Sequence, residues 1–357
     1  MLKQLLQGNQ AIVQAAERVG LGLFAGYPIT PASEILHELV GRKNIKVLQM
    51  EDEIASINAC IGASLAGLKA MTATSGPGFS LMQESIGLAH MMEVPMVIVN
   101  VQRVGPSTGM PTFPAQGDII QTRHGSHGDY FPIVFYPNSV EELYHHTFSA
   151  FNAAEESLSP VILLSDGYIS HLYETVELKN YPLAQRTRPP LGTSNRHFTG
   201  LTHQDSRPIT SSPEAHRALL AHFQKKYMET CKNYNFYEYV ENDTADTLLI
   251  AFGALSRSIY GFKDKYALFR PIRLFPIIEE LKDIAPRYEY IVVLEMNTGQ
   301  YCYQVERLLH RDVELLSLPG GKIDMKEISN KLQELRQKLP KQASVLSGVA
   351  LPQTKQR

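Results

Sequence analysis

The 357-residue sequence predicts an α/β fold built on parallel sheet. Three observations carry the expectation. Short apolar, β-rich runs alternate with amphipathic segments of helical period, which is the pattern of successive βαβ units. Several of the runs end directly in Gly-, Pro- and hydroxyl-rich turns, as at Gly26-Tyr27-Pro28 and Thr74-Ser75-Gly76. The alternation breaks near residue 176 and resumes near 245, so that a polar connector separates two α/β units.

The elements follow in order. Asn9–Val19 has Ile12, Val13, Ala16 and Val19 on one helical face, with Asn9 placed to cap it. A buried strand over Leu21–Tyr27 leads to a helix, Pro31–Val40, with proline at its first position. Strand Ile45–Met50, the small-residue helix Glu53–Ala66, strand Lys69–Thr74, helix Phe79–Met92 and strand Pro95–Val101 complete the regular alternation. A Gly/Pro-rich loop from Gln102 to about Ile119 is long for a compact domain, and such loops are commonly functional. Helix Val140–Ser157 and strand Val161–Leu164 close the first unit, 1–175. The connector, 176–244, is polar and aperiodic apart from a helix from Pro213 to about Asn233. The second unit, 245–338, reads as strand Thr247–Gly253, helix Ser256–Leu268, strand Ile272–Phe275 and helix Ile277–Ile284. Strand Tyr290–Glu295, helix Gly299–His310, strand Val313–Leu316 and a charged helix from Lys322 to Leu339 follow. Residues 339–357 read as a polar tail.

Composition narrows the function classes. A formal net charge of -2 gives no basic footprint for nucleic acid. The longest apolar run, Val94–Val101, is far short of the roughly 20 residues a bilayer requires. With no secretory signal read at the N-terminus, a cytoplasmic location is expected. The three cysteines, Cys60, Cys231 and Cys302, have no metal or cluster spacing and fit thiols in a reducing compartment. A Cys-ligated iron–sulfur cluster is therefore not expected on this chain.

Candidate chemistry gathers at strand ends, where ligands collect in open α/β sheets. The two prolines of Tyr27-Pro28-Ile29-Thr30-Pro31 stiffen a corner that carries the Thr30 hydroxyl; the same residues also suit a plain strand-to-helix turn. Glu53, the last of Glu51-Asp52-Glu53, opens a helix. It serves either as a partner of the helix dipole or as a buried carboxyl with raised pKa, suited to exchanging a proton with a heterocyclic nitrogen. The turn Thr72-Ala73-Thr74-Ser75-Gly76-Pro77-Gly78 can offer amides to an anion but matches neither the P-loop nor the dinucleotide fingerprint. Arg103 stands at a strand end before Gly105-Pro106-Ser107-Thr108-Gly109-Met110-Pro111-Thr112; its planar fork suits a carboxylate or a surface ion pair. His124 and His127 lack an evident third ligand for a metal.

Together with Leu294-Glu295-Met296-Asn297-Thr298-Gly299-Gln300, these motifs resemble, in the same order, the α subunit of 2-oxoacid:ferredoxin oxidoreductases, most closely the 2-oxoglutarate type. The resemblance covers roughly the whole chain. It implies a thiamine-diphosphate-binding domain of pyrimidine type over 1–175 and a smaller transketolase-C-terminal-like domain over 245–338. It implies thiamine-diphosphate-dependent oxidative decarboxylation of a 2-oxoacid to acyl-CoA and CO2, with electrons passed to ferredoxin or flavodoxin. Glu53 matches the family glutamate that bonds the pyrimidine nitrogen and favours the imino tautomer. Thr30 and Arg103 match the residues that contact substrate and its carboxylate, and Tyr27 and Pro28 lie in the cofactor-binding motif. The diphosphate, its Mg2+ and the 4Fe-4S cluster are implied on a β subunit, in a hetero-oligomer expected to be (αβ)2. Consistent with this, the family's Gly-Asp-Gly diphosphate motif is absent, and Ser165-Asp166-Gly167 departs from it at its first residue. The Glu295-Met296-Asn297 segment is expected to serve packing and subunit contact. Substrate choice stays open between 2-oxoglutarate, branched-chain 2-oxoacids and pyruvate, with Arg123 or a partner group as the second cation a dicarboxylate needs. A scaffolding subunit without turnover, or a free-standing nucleotide-binding enzyme, are the rival readings.

Overall fold

The computed structural model describes residues 3–193 and 195–338, so the tail expected over 339–357 lies outside the described residues. Residues from Asp324 onward form a unit of their own, whose described part is dominated by one helix, Met325–Lys338. The rest of this description concerns the unit ending at Ile323.

The chain begins with β1 (Lys3–Gln7), α1 (Gly8–Arg18), β2 (Leu23–Gly26), α2 (Ser33–Leu39), β3 (Lys46–Gln49), α3 (Glu53–Leu65) and β4 (Ala70–Thr74). It continues with α4 (Gly76–Leu81), α5 (Gln83–Met91), β5 (Met96–Val104), β6 (Met110–Pro114), α6 (Ile119–His124), β7 (Ile133–Phe135) and α7 (Val140–Ser157). Then come β8 (Pro160–Asp166), α8 (Gly167–His171), β9 (Tyr173–Glu177), the hairpin β10 (His203–Gln204) and β11 (Arg207–Pro208), α9 (Pro213–Cys231) and β12 (Tyr237–Val240). The last stretch is β13 (Thr247–Ile250), α10 (Gly253–Ile259), β14 (Ala267–Pro271), β15 (Arg273–Phe275), α11 (Leu281–Ile284), β16 (Tyr290–Glu295), α12 (Cys302–Leu309) and β17 (Glu314–Ser317).

The larger sheet has the order β15-β7-β8-β5-β4-β2-β3, with β6 folded back on β5. From β7 to β3 every pairing is parallel; β15 and β6 add antiparallel. The second sheet, β12-β14-β13-β16-β17, is parallel except for β12. Central strands β4, β5 and β8 are buried on both faces, which explains why they read as continuous apolar runs and not as alternating ones. Helix α7 matches its expected span because both ends are marked: Ser139 accepts from the Glu142 amide, and Leu158 stops the helix in the left-handed region at φ 48°.

The differences have local causes. The helix expected over Phe79–Met92 is two helices, and the first starts at Gly76 because Pro77 suits an opening turn. The helix expected over Ser256–Leu268 ends at Ile259. Residues 267–268 instead enter β14, buried between β12 and β13, so tertiary pairing overrides the helical pattern. Strand β15 follows second-sheet strands in sequence yet joins the larger sheet beside β7. Asn9 is not a cap. Gln7 caps α1 in a box with Gln10, while Asn9 lies fully buried inside the helix and donates to the Pro31 carbonyl at 2.9 Å. Pro31 lies outside α2, which begins at Ser33.

Candidate active site

The C-terminal ends of β8, β5, β4, β2 and β3 lie along one edge of the larger sheet, and the motif residues are placed there by their strands. Tyr27 and Pro28 follow β2, the acidic run follows β3, Thr74 and Ser75 end β4, and Arg103 belongs to the end of β5. The Tyr27 side chain is 43% exposed and Thr30 is exposed, whereas Pro28 is half-buried.

The three consecutive acids divide their labour. Glu51 is exposed, and Asp52 caps α3 by accepting from the Ala55 amide at 2.7 Å. Glu53 turns inward and is 4% exposed. Burial, reinforced by the charge of Asp52, holds its carboxyl above the usual carboxylate range against the opposing pull of its own amide, Thr74 and Arg103. It packs against Gly78, where a side-chain Cβ would collide with Glu53 Oε1 and Thr74 Oγ1. The glycine in the Ser75-Gly76-Pro77-Gly78 turn is thus needed for close approach of this carboxyl.

Arg103, 8% exposed, donates from Nη1 to the Thr30 carbonyl at 2.8 Å. The corner Thr30-Pro31, a cis peptide, is therefore held from both sides, by Arg103 on the Thr30 carbonyl and Asn9 on the Pro31 carbonyl. Arg103 opens onto a cavity of about 670 Å³ that also takes in Gly76, Ser80, Asp118, Gln121 and Asn297. Glu53 and Thr30 are not among its lining residues; both connect to it through Arg103, by charge and by hydrogen bond respectively. Arg123 is elsewhere: it donates to the Tyr130 carbonyl and lines a separate cleft with His124 and Phe275. Arg123, considered as the second cation for a dicarboxylate, does not line this cavity.

Two parts of the cavity were missed in the sequence. Asp118 sits at the cap position of α6 without capping; its Oδ2 instead accepts from Asn100 at 3.0 Å, and burial raises its pKa beside Arg103. The loop after β16 forms the opposite wall, so the segment expected to serve packing and subunit contact also shapes the site. Glu295 is fully buried and accepts from the Tyr301 and Cys302 amides and from Asn297, which fixes that loop. Gln116 reaches across to the Phe252 carbonyl and the Met296 amide, and Asn297 donates to the Gln116 carbonyl. Asp166, the nearest match to a diphosphate motif, is committed to structure. Its carboxylate accepts from the Tyr168 and Ile169 amides, the Tyr136 hydroxyl and the Ala254 amide. His124 and His127 lie apart from the cavity, in two different clefts.

Several buried polar atoms at this sheet edge have no partner among the described residues: Ser75 Oγ, Asn100 Oδ1, Arg103 Nε and Ser165 Oγ. Buried polar groups are nearly always paired, so these atoms leave unused hydrogen-bonding capacity at this sheet edge.

Comparison with known proteins decides the family. Residues 14–239 match the family described as pyruvate flavodoxin/ferredoxin oxidoreductase, thiamine diphosphate-binding. The 2-oxoglutarate synthase subunit KorA of Methanocaldococcus jannaschii is 41% identical over 92% of this chain and 98% of its own length. The chain belongs to the α-subunit family of 2-oxoacid:ferredoxin oxidoreductases. Within that family, ketoisovalerate oxidoreductase subunit VorB of Methanothermobacter marburgensis is 35% identical over 94% of this chain. A 2-oxoglutarate:ferredoxin oxidoreductase from Magnetococcus marinus, solved with 2-oxoglutarate, coenzyme A and succinyl-CoA bound, superimposes with a TM-score of 0.87 at 30% identity. That alignment covers 93% of this chain and 65% of the Magnetococcus chain, which is therefore longer. Transketolase from Campylobacter jejuni, at 10% identity and a TM-score of 0.55, shares the fold. Among the described residues, no helix is long and apolar enough to cross a membrane.

Proposed function

We propose that this chain is the pyrimidine-binding subunit of a CoA-acylating 2-oxoglutarate:ferredoxin oxidoreductase, with residues 1–175 gripping the cofactor, 176–244 connecting, and 245–338 forming the second domain. The reaction converts 2-oxoacid, coenzyme A and two oxidised ferredoxins to acyl-CoA, CO2, a proton and two reduced ferredoxins; flavodoxin is the other acceptor of that class. The observation that carries the reading is Glu53, a carboxyl buried at a strand end, with raised pKa, in a cradle where a Cβ at position 78 would collide with it.

These residues fit the aminopyrimidine end of thiamine diphosphate. When bound, that cofactor supplies the nucleophilic carbon that adds to a 2-oxo group and accepts the electron pair left by CO2. Glu53 holds a proton at its carboxyl for a ring nitrogen, and its burial excludes the water that would compete for it. Tyr27 and Pro28 form the adjoining wall. Arg103 keeps Nη2 and Nε for a substrate carboxylate while Nη1 fixes the Thr30 corner, which presents the Thr30 hydroxyl. Diphosphate, Mg2+ and a 4Fe-4S cluster belong to a β subunit, in an (αβ)2 assembly in the cytoplasm. Exposed Ile54, Leu81, Met110 and Phe113 supply apolar surface for that partner.

The KorA relatives, at 38–41% identity against 34–35% for the VorB relatives, favour 2-oxoglutarate over branched-chain acids. Arg103 is the one cation among the described residues lining the cavity, so the second carboxylate of 2-oxoglutarate takes its cation from the partner. The test is Glu53→Gln in the reconstituted complex, assayed with a 2-oxoacid panel and a viologen acceptor. Turnover should fall by about 10²–10⁴-fold with assembly intact. Near-normal turnover would remove the role given to Glu53.

A further inference from the structure

The connector carries a buried guanidinium that, among the described residues, hydrogen-bonds no carboxylate. Arg196 is 7% exposed. Its Nη1 donates to the Pro189 carbonyl and its Nη2 to the Glu93 carbonyl, each at 3.2 Å, and its Nε has no partner among the described residues. The nearby acid is already committed: Glu93 Oε1 accepts from His222 and Lys226 at 2.9 Å each, and Oε2 pairs with Arg188. Burial opposes ionisation of Glu93, but His222, Lys226 and Arg188 outweigh it and keep its pKa well below the usual range. Glu155, the other acid of the cluster, is gripped by Arg186 through Nε and Nη2.

Arg186, Arg188, Arg196, Lys226 and, within electrostatic reach of Glu155 and Arg186, Lys69 thus face two carboxylates, Glu93 and Glu155, which leaves positive charge in excess. Buried charge without a counter-charge is costly. The imbalance registers on Arg196: burial, followed by repulsion from Arg188 and Arg186, pulls its pKa down to about 10 against a weaker opposing pull from Glu93. Beside the cluster lies a cavity of about 390 Å³, lined by Leu158, Thr187, Arg188, Pro189, Asn195 and Arg196, with two guanidiniums and no carboxylate. It lies apart from the Arg103 cavity and shares no residue with it.

We propose that this second cavity binds a phosphate group, free or carried on a nucleotide, and that the anion completes the arginine cluster and pins the connector to the end of α7 and to Glu93. A phosphate dianion supplies twice the negative charge of a carboxylate to this excess. Planar guanidinium forks pair with phosphate oxygens in two parallel bonds. The anion therefore acts as a removable counter-charge for a segment that joins the two sheets.

Isothermal titration calorimetry on the full chain provides the test, with inorganic phosphate, ADP and acetate titrated separately at matched ionic strength. Phosphate should bind saturably, one per chain, and at least tenfold more tightly than acetate. ADP binding tighter than phosphate identifies a nucleotide as the source; ADP no tighter than phosphate identifies the free ion. Phosphate at about a hundred times its Kd should shift the unfolding equilibrium by about a hundredfold. Arg196→Gln should abolish the titration. Because that variant removes a buried side chain, Asn195→Asp is the second arm: it adds a carboxylate at the exposed rim, and should weaken phosphate at least tenfold with turnover of the reconstituted complex unchanged. No saturable heat with phosphate or ADP, or unchanged affinity in both variants, overturns the proposal.

Discussion

Gly78→Ala isolates the geometry of the candidate site from its chemistry, because it adds one methyl and removes no functional group. Gly78 lies in α4, and no left-handed backbone angle protects it, so alanine is conformationally acceptable and gains about 0.5–1 kcal/mol of helix preference. Against this stands steric overlap of the new Cβ with Glu53 Oε1 and Thr74 Oγ1. Thr74 is anchored on a strand buried throughout, so the end of the Glu53 side chain is what gives way. Relief requires a displacement of roughly 1 Å, which is worth about 10²-fold in rate at a reacting group. Overpacking of this kind costs about 1–3 kcal/mol, which leaves a net loss of about 0–2.5 kcal/mol after the helix gain. The assay is viologen-coupled oxidation of 2-oxoglutarate by the reconstituted complex, alongside denaturant unfolding of the chain. Gly62→Ala in α3 is the control: nothing lies within 4 Å of the new methyl, so it should only stabilise, by about 0.5–1 kcal/mol. A Gly78→Ala enzyme with full kcat would refute the tight seating of Glu53.

Other predictions address neighbouring charges. Arg103→Lys keeps the charge but loses the fork that serves the Thr30 carbonyl and a carboxylate together; KM for 2-oxoglutarate should rise by about 10–100-fold, from about 1.5–3 kcal/mol of charge-assisted bonding. An unchanged KM would place substrate elsewhere. Arg270, 2% exposed, bonds Glu142 through both Nη atoms and Glu238 through Nε, so Arg270→Met strands acids on α7 and β12 and should cost about 3–5 kcal/mol at pH 7. Its pH dependence has a definite sign. Burial alone would raise the Glu142 pKa, but Arg270 lowers it below 4.5, so that stabilisation is complete above the ordinary carboxylate pKa and is lost as pH falls through the folded value. The deficit of the variant should therefore shrink in urea unfolding at pH 4; an equal deficit at pH 4 and pH 7 would contradict the assignment.

The alternation of strands and helices was legible because central parallel strands and their covering helices each leave a strong local pattern, as at β5 and α7. Strand β7, with three residues, and the pair β1 and β9 leave no such pattern, since they are defined by partners far along the chain. Glu53 was legible as an acid between a strand and a helix. Its separation from Asp52 was not, because which carboxylate caps and which turns inward depends on the arrangement of Gly78 and Thr74. Asp118 left a faint signal, an acid at a helix start, and only the contact with Asn100 shows that it does not cap. Asn9 read as a cap because asparagine before an amphipathic run usually is one. Its grip on Pro31 arises from the crossing of α1 over the β2 corner, which no local rule contains.

The lacing between residues 116–120 and the loop after β16 has a consequence for the order of events. Five hydrogen bonds join these segments and the β13–α10 turn: Gln116 to Phe252, Met296 to Gln116, Asn297 to Gln116, Ile120 to Gln300 and Gln300 to Gly117. At about 0.5–1.5 kcal/mol each, prising the two halves of the chain apart is not a workable entrance. Small molecules therefore come and go without parting these segments, through the open rim of the Arg103 cavity.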